Sequence, residues 1–184
     1  MSIDTGIEHY NRGNFRKAFE AFEAVAVIED QDVLCALAWM HEHGKGTSKN
    51  TQAAIDLYTK AEALGSVNAS YQLGLLFTDS QSTEEAEKCF QRGARTGHAP
   101  SMCQLGVLLT NCENTQSARY KEGLGWLRKS TDAGSLRAQR ALLSRQRAAE
   151  KRPTLKLWLS AKLLRTNVLA IIQIFKDVRS DRIS

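Results

Sequence analysis

The stretch that decides the fold is residues 37–65, which read LAWMHEHGKGTSKNTQAAIDLYTKAEALG. Its apolar spacing predicts a helix over 37–43, a turn at Gly44-Lys45-Gly46, and a second helix over about 50–63. Gly65 is placed to end the second helix in a left-handed cap. These segments make one helical hairpin, and weaker copies of the pattern lie on both sides of it.

The copies are found by aligning the closing glycines Gly65, Gly97 and Gly134, which stand 32 and 37 residues apart. Such intervals are typical of helical-hairpin repeats. Each glycine is preceded by a small residue eleven positions earlier and a bulky one seven positions earlier, the pairs being Ala54/Tyr58, Ala86/Phe90 and Gly123/Leu127. A small residue lets two helix backbones approach, and the large one fills the space beside it. The same helix pair is therefore predicted three times.

The repeated pattern L-G/A-x-x-aromatic-x-x-G-x-G, then A-x-x-x-Y-x-x-A and G, is similar to the Sel-one-like repeat, a relative of the tetratricopeptide repeat. Residues 37–65 match it closely, and residues 66–97 and 98–134 match it more loosely. Residues 5–26 resemble a tetratricopeptide hairpin. The resemblance implies an all-α fold, a right-handed α/α solenoid of about three to four helical hairpins, and protein binding as its usual work.

The last part of the chain differs in charge from the rest. Residues 145–184 carry ten Lys or Arg against three acidic residues, so their net charge is +7 and that of residues 1–144 is −2. We therefore divide the chain into a repeat solenoid over 1–150 and a basic amphipathic helix with its tail over 151–184. That long helix is predicted over 154–178, with an apolar stripe formed by Leu157, Ala161, Leu164, Val168, Ile171 or Ile172, Phe175 and Val178.

Three roles remain open for the C-terminal helix: a cap on the solenoid, a site for a partner or a second copy, and a contact with an anionic membrane surface. It is not expected to span a membrane, because Lys162 and Arg165 interrupt it. The residues assigned to its interactions are Lys156, Trp158, Lys162, Arg165, Leu169, Ile172 and Phe175. Nucleic acid is not expected as a partner, since the basic stretch 145–152 has no aromatic residues interleaved with it.

A second candidate site follows from the resemblance, because the first helices of such hairpins line a concave groove. Carried over by position, the groove that binds a protein or peptide partner comprises Tyr10, Asn11, Trp39, Glu42, His43, Tyr71, Leu75, Thr78, Asp79, Val107, Thr110 and Asn111. Aromatic, amide and acidic side chains together suit a peptide or helix. The alternative is that Trp39 and Tyr71 only cover the core between hairpins.

No pattern indicates catalysis, a metal or a cofactor. Gly44-Lys45-Gly46 lacks the strand and the Gly-Lys-Ser/Thr of a phosphate loop, and His41 and His43 diverge on a helix. No Ser or Cys sits in a nucleophile elbow, and the chain has no S-x-x-K motif for β-lactam chemistry. The four cysteines are expected to be reduced core thiols, and the absence of a secretory signal indicates a cytoplasmic location.

The sequence thus predicts a non-enzymatic adaptor or scaffold that binds proteins through its groove, its C-terminal helix or both. The alternatives are a membrane-peripheral protein held by the basic helix and a hydrolase or β-lactam-binding enzyme.

Overall fold

The computed structural model describes residues 2–28, 30–112, 114–149 and 153–180, and over these residues the chain is helical with no strand. The all-α prediction is therefore confirmed. A single 3₁₀ turn, Ala26–Ile28, follows the second helix. The α-helices are α1 (Ile3–Asn11), α2 (Phe15–Val25), α3 (Gln31–His43), α4 (Thr51–Ala63), α5 (Val67–Asp79), α6 (Thr83–Arg95), α7 (Ala99–Leu109), α8 (Ala118–Asp132), α9 (Leu136–Ala149) and α10 (Pro153–Ser180).

The hairpin that contains residues 37–65, called the reference hairpin below, consists of α3 and α4. Its two helices end where the sequence predicts. Asp30 caps α3, because its Oδ1 accepts hydrogen bonds from the backbone N–H groups of Asp32 at 2.9 Å and Val33 at 3.0 Å. Gly44 ends α3 in the left-handed region with φ of 64°. The three closing glycines, Gly65, Gly97 and Gly134, have φ of 97°, 88° and 88°. They stop the second helix of each repeat as predicted.

The hairpin of α5 and α6 turns without glycine. Gln81 takes the left-handed conformation there, with φ of 62°, the only non-glycine residue to do so in the described part of the chain. Side chains with a Cβ are disfavoured in that region. The turn between α5 and α6 therefore holds a locally strained residue where the reference hairpin has glycine.

The chain forms two compact units, Met1–Thr96 and Gly97–Ser184. The first unit contains α1 to α6 and the second contains α7 to α10. Their charges are opposite: 14 acidic and 9 basic residues give the first unit a net charge of −5, and 6 acidic and 16 basic residues give the second +10. The division at residue 150, drawn from charge alone, stays a prediction.

Within each unit, hairpins are held by a small residue in the first helix lying against a large side chain in the second. A Cβ added to Gly6 would lie 2.5 Å from the Phe22 ring, and one added to Gly74 would overlap the Phe90 ring. A Cβ added to Gly106 would lie 2.7 Å from the Leu127 side chain and 2.8 Å from the Gly123 carbonyl oxygen. Glycine at these positions therefore sets how closely the two helices pack.

A charged network also links three helices of the first unit. The Arg92 guanidinium donates from Nε to Glu62 Oε1 at 2.7 Å and from Nη2 to Oε2 at 2.9 Å. Ser70 donates its hydroxyl hydrogen to the same Glu62 Oε1. Two parallel hydrogen bonds fix the guanidinium in one plane, which a single ammonium group cannot reproduce. Glu62 of α4 thereby joins α5 to α6.

The long helix α10 packs against α9, but through a face other than the predicted stripe. Leu159 and Thr166 are buried, with 6% and 3% of their surfaces exposed. The stripe residues Leu157, Leu164, Val168 and Ile171 are exposed instead. The helix carries apolar residues on two opposite faces, so periodicity alone could not tell which one packs. The side chains of Phe175 and Val178, the last two residues of the predicted stripe, lie outside the described ones.

The expectation that all four cysteines lie in the core holds for two and is wrong for one. Cys89 and Cys103 are buried, Cys35 is partly buried, and Cys112 is exposed in the connection between α7 and α8. Burial raises the pKa of the Cys35, Cys89 and Cys103 thiols, because it disfavours the charged thiolate.

We expect Gly74→Ala to lower the free energy of unfolding by about 1–3 kcal/mol, because the new methyl group meets the buried Phe90 ring. Denaturant unfolding followed by circular dichroism measures the change. Gly125 of α8 is the matched control: no atom lies within 4 Å of its added Cβ, so Gly125→Ala should stabilise by about 0.5–1 kcal/mol. Equal effects of the two substitutions would contradict the packing described.

We also expect the thiols to react with iodoacetamide in a fixed order at neutral pH. Cys112 should be labelled first because it is exposed, and Cys103 should be among the slowest because it is buried and its pKa is raised. Mass spectrometry of peptides at successive times gives the order. Early labelling of Cys103 in the folded protein would contradict its position between α7, α8 and α9.

Candidate functional site

Four rings form an aromatic cluster in the first unit, contributed by Tyr10, Phe15, Trp39 and His43. The Tyr10 ring stands edge-on to Phe15 and Trp39, with centroid distances of 5.6 and 5.5 Å. The His43 ring stacks on Trp39 at 4.6 Å. Tyr10 and Trp39 also pack on the buried core formed by α2 and α3, and burial raises the pKa of the Tyr10 hydroxyl. The aromatic cluster therefore packs on the core with one side and remains partly exposed to solvent on the other.

Next to this cluster, an open cleft of about 550 Å³ lies at the carboxyl ends of α3 and α5. The residues that line it are Glu42, His43, Lys49, Thr51, Leu76, Asp79 and Ser80. Two carboxylates, one imidazole, one ammonium group and two hydroxyls thus lie around the buried side chain of Leu76. Such a lining offers both charge and hydrogen bonds to a ligand.

The Glu42 carboxylate in the cleft accepts a hydrogen bond from a core residue. The Tyr58 hydroxyl donates to Glu42 Oε2 at 3.2 Å. Tyr58 is fully buried. Burial and the negative charge of Glu42 both raise the pKa of the Tyr58 hydroxyl, so it stays protonated and remains a donor. The core therefore fixes the orientation of a group that faces the cleft.

His43 is oriented by a second contact, because its Nδ1 lies 3.0 Å from the Trp39 carbonyl oxygen. A carbonyl oxygen can only accept, so Nδ1 carries the proton of the neutral ring. The other nitrogen, Nε2, is then an acceptor. The carboxylate of Glu42 lies 3.9 Å from Nδ1.

The remaining groove residues predicted in the first unit have mixed positions. Tyr71 and Leu75 are half-buried, and the Tyr71 ring lies 6.1 Å from the Phe90 ring. Thr78 is exposed, but its hydroxyl donates to the Gly74 carbonyl oxygen at 2.7 Å. Asn11 is exposed at the end of α1. Thus Glu42, His43 and Asp79 come together in the cleft, whereas Tyr71 lies beside the buried Phe90 ring.

The three groove residues predicted in the second unit do not form a comparable surface. Thr110 is only 3% exposed; its hydroxyl donates to the Gly106 carbonyl at 2.7 Å and accepts from Arg145 Nε at 3.1 Å. Its assignment to a ligand-contacting surface is therefore wrong, because α9 supplies Arg145 to that hydroxyl. Val107 is half-buried against the core of α7, α8 and α9, and Asn111 is exposed.

Four residues of the cleft were missed from the sequence: Lys49, Thr51, Leu76 and Ser80. Asn50 caps α4 by accepting from the Ala53 N–H at 3.0 Å, so Lys49 and Thr51 flank a recognisable helix start. That signal gives the position of a turn, but not which neighbouring helix end it faces. Leu76 was missed because it follows the apolar pattern of an ordinary core residue.

The candidate residues of α10 lie on its outside. Lys156, Trp158, Lys162, Arg165, Leu169 and Ile172 are all exposed. The side chain of Phe175 is outside the described ones. The Lys162 ammonium lies over the Trp158 ring, 5.0 Å from its centroid. No helix in the described ranges has both the length and the apolar composition needed to cross a membrane.

Comparison with known proteins gives one family. The family model described as Sel1 repeat matches residues 32–66 and 67–98, which contain α3 with α4 and α5 with α6. No curated protein sequence matches the chain.

Solved structures of similar fold include the following three. The first is c5321, a protective antigen of uropathogenic Escherichia coli strains that displays an SLR fold, with 18% identity and a TM-score of 0.74 over 89% of this chain. The match covers 36% of c5321, so the present chain spans about a third of its length. The second is a Sel1 repeat protein from Oxalobacter formigenes, with 22% identity, a TM-score of 0.69, and coverage of 88% of this chain and 69% of that one.

The third is MamA, with 17% identity and a TM-score of 0.64, covering 96% of this chain and 99% of MamA. At these identities the likeness shows the fold alone, and it confirms the α/α solenoid class predicted from the repeats. The resemblance to the Sel-one-like repeat is therefore confirmed over residues 32–98, where the Sel1 repeat model matches, and the solved structures of similar fold include a Sel1 repeat protein and a protein with an SLR fold.

Proposed function

We propose that this protein is a non-enzymatic adaptor whose first unit binds a protein or peptide partner at the cleft between the carboxyl ends of α3 and α5. The Sel1 repeat family is generally a family of protein-interaction scaffolds. The observation that carries the proposal is the cleft itself, where three of the predicted groove residues, Glu42, His43 and Asp79, meet Lys49 and the apolar Leu76.

The chemistry of the cleft suits a polar peptide segment. The carboxylates of Glu42 and Asp79 can accept hydrogen bonds from a cationic side chain or an amide. The Lys49 ammonium can pair with a carboxylate of the partner. Leu76 is 8% exposed and belongs to the buried core, so it closes the bottom of the cleft. The Tyr58 hydrogen bond holds Glu42 before a partner arrives, which reduces the entropy lost on binding.

The polar groups of the cleft support binding in preference to catalysis. Ser80 donates its hydroxyl to the Phe77 carbonyl oxygen at 3.2 Å and lies 3.4 Å from the Ser82 hydroxyl. The His43 ring is stacked on Trp39 and bonded to its carbonyl oxygen. A nucleophile needs its hydroxyl directed to a base, whereas these groups are directed to the backbone of their own helices.

We expect the double substitution Lys49→Glu with Asp79→Lys to abolish capture of the partner that binds here, because it reverses both charges across the cleft. The measurement is affinity capture from the native host by the immobilised full-length protein, with quantitative mass spectrometry. Trp39→Ala is avoided, because Trp39 packs on the core and its loss would disturb the fold.

The matched control is Lys88→Glu with Asp132→Lys, which makes the same exchange at two exposed residues outside the cleft. Both proteins keep the wild-type net charge, so general electrostatics are unchanged. Loss of the same proteins with the control, or full retention of every captured protein by the cleft variant, would contradict the proposal.

A further inference from the structure

The outward face of α10 carries four aliphatic side chains in a line. They are Leu157, Leu164, Val168 and Ile171, with exposed fractions of 73%, 65%, 48% and 53%. At about 100° per residue they fall within an arc of about 60°, opposite the buried Leu159 and Thr166. From the first to the last they span about 21 Å along the helix. We call these four residues the α10 stripe.

The cations on the outward face of α10 favour a protein groove over a lipid surface. An interfacial helix presents a continuous broad apolar face to the bilayer, but here Arg165 falls between Ile172 and Trp158 on the same helical projection. Its exposed charge separates the stripe and Ile172 from the exposed Trp158 and Leu169, and the exposed Lys156 lies beyond the other edge of the stripe. An apolar stripe with a cation on each side is typical of a helix that packs on another protein.

The first unit contains a groove of matching chemistry between α1 and α3. Its apolar lining comprises Ile3, Ile7 and Tyr10 of α1, Phe22 of α2, and Val33 and Ala36 of α3. Its volume is about 150 Å³, which is enough for one branched aliphatic side chain. Ile7 is 46% exposed, so the groove is open in the isolated chain. We call it the α1–α3 groove.

The charges of the two surfaces are complementary. Asp32 lines the α1–α3 groove, and the exposed Asp4 stands on α1 beside Ile3 and Ile7. Lys156, Lys162 and Arg165 flank the α10 stripe. The units that carry them have net charges of −5 and +10. Two α10 stripes placed face to face would instead bring their cations together, which costs energy.

We propose that the protein self-associates head to tail, with the α10 stripe of one copy packing across α1 and α3 of a second copy and one of its aliphatic side chains entering the α1–α3 groove. The contact joins two different surfaces, so each copy keeps one groove and one stripe available for further copies. A stripe of about 21 Å is short for a stable interface. The association is therefore reversible, depends on concentration and weakens with salt. It goes beyond the proposed function, since it does not use the cleft.

The test is sedimentation velocity of the full-length protein over a range of concentrations, at low and high salt. Wild type should form a series of oligomers at low salt. Leu164→Asp in the stripe and Ile7→Asp in the groove should each raise the dissociation constant at least about tenfold, because a carboxylate is placed in an apolar contact. Asp32→Asn, which leaves the Asp30 cap in place, should weaken association several-fold and checks the groove without an apolar substitution.

Mixing supplies the decisive result. The Leu164→Asp protein keeps its groove and the Ile7→Asp protein keeps its stripe, so an equimolar mixture should form a dimer and no larger species. Leu169→Asp is the matched control, because Leu169 is a comparably exposed residue of α10, outside the stripe. It should associate as wild type does. Circular dichroism confirms that each variant is folded.

Three outcomes would overturn the proposal. Association of Ile7→Asp alone, with none by Leu164→Asp, would mean that α10 pairs with α10. A wild type that stays monomeric but sediments with phosphatidylserine vesicles through the same stripe would mean that the occupant is a membrane. A wild type that stays monomeric and binds no vesicles would mean that neither surface associates in this way.

Discussion

The structure depends on one repeated contact, in which a small residue of the first helix of a hairpin lies against a large side chain of the second. In three such pairs the large side chain occupies the space that a side chain at the glycine would need. The pairs are Gly6 with Phe22, Gly74 with Phe90, and Gly106 with Leu127. In the reference hairpin Ala38 and Tyr58 belong to one buried cluster. Close backbone approach and a large filling group together give dense packing from short helices.

This constraint explains why the cleft lies where it does. The large residues bury their rings between helices, so the carboxyl ends of α3 and α5 and the connection before α4 are left to carry polar groups. Tyr58 serves both purposes, because its ring is part of the core and its hydroxyl fixes Glu42. Trp39 does likewise, with one side on the core and one under His43. Binding groups are thus positioned by residues whose first role is packing.

The two units share the same hairpin packing but differ in the sign of their net charge. The acidic first unit contains the cleft and the α1–α3 groove, whereas the basic second unit contains α10 with its exposed stripe. Opposite net charges on separate units favour contacts between unlike surfaces of different molecules. A helix that uses one apolar face for α9 and leaves the other exposed has the form expected of a connecting element.

The sequence determined the helices, because their signals are local: the apolar period, the capping side chains of Asp30 and Asn50, and glycines where a helix must stop. The resemblance to the Sel-one-like repeat, carried over by position, implied that Glu42, His43 and Asp79 belong to one surface. Neither the period nor the caps fixed the contacts of Tyr71, which only packing against Phe90 shows.

Only the tertiary structure decided which face of α10 is buried, that Thr110 lies under Arg145, and that Lys49 joins the cleft. Each of these depends on which distant segment covers a given side chain. A helix with two apolar faces satisfies the same periodicity whichever face is packed. A threonine at a helix end looks the same in sequence whether another helix reaches it or water does. Local chemistry thus sets the elements, and long-range packing selects the surfaces left for binding.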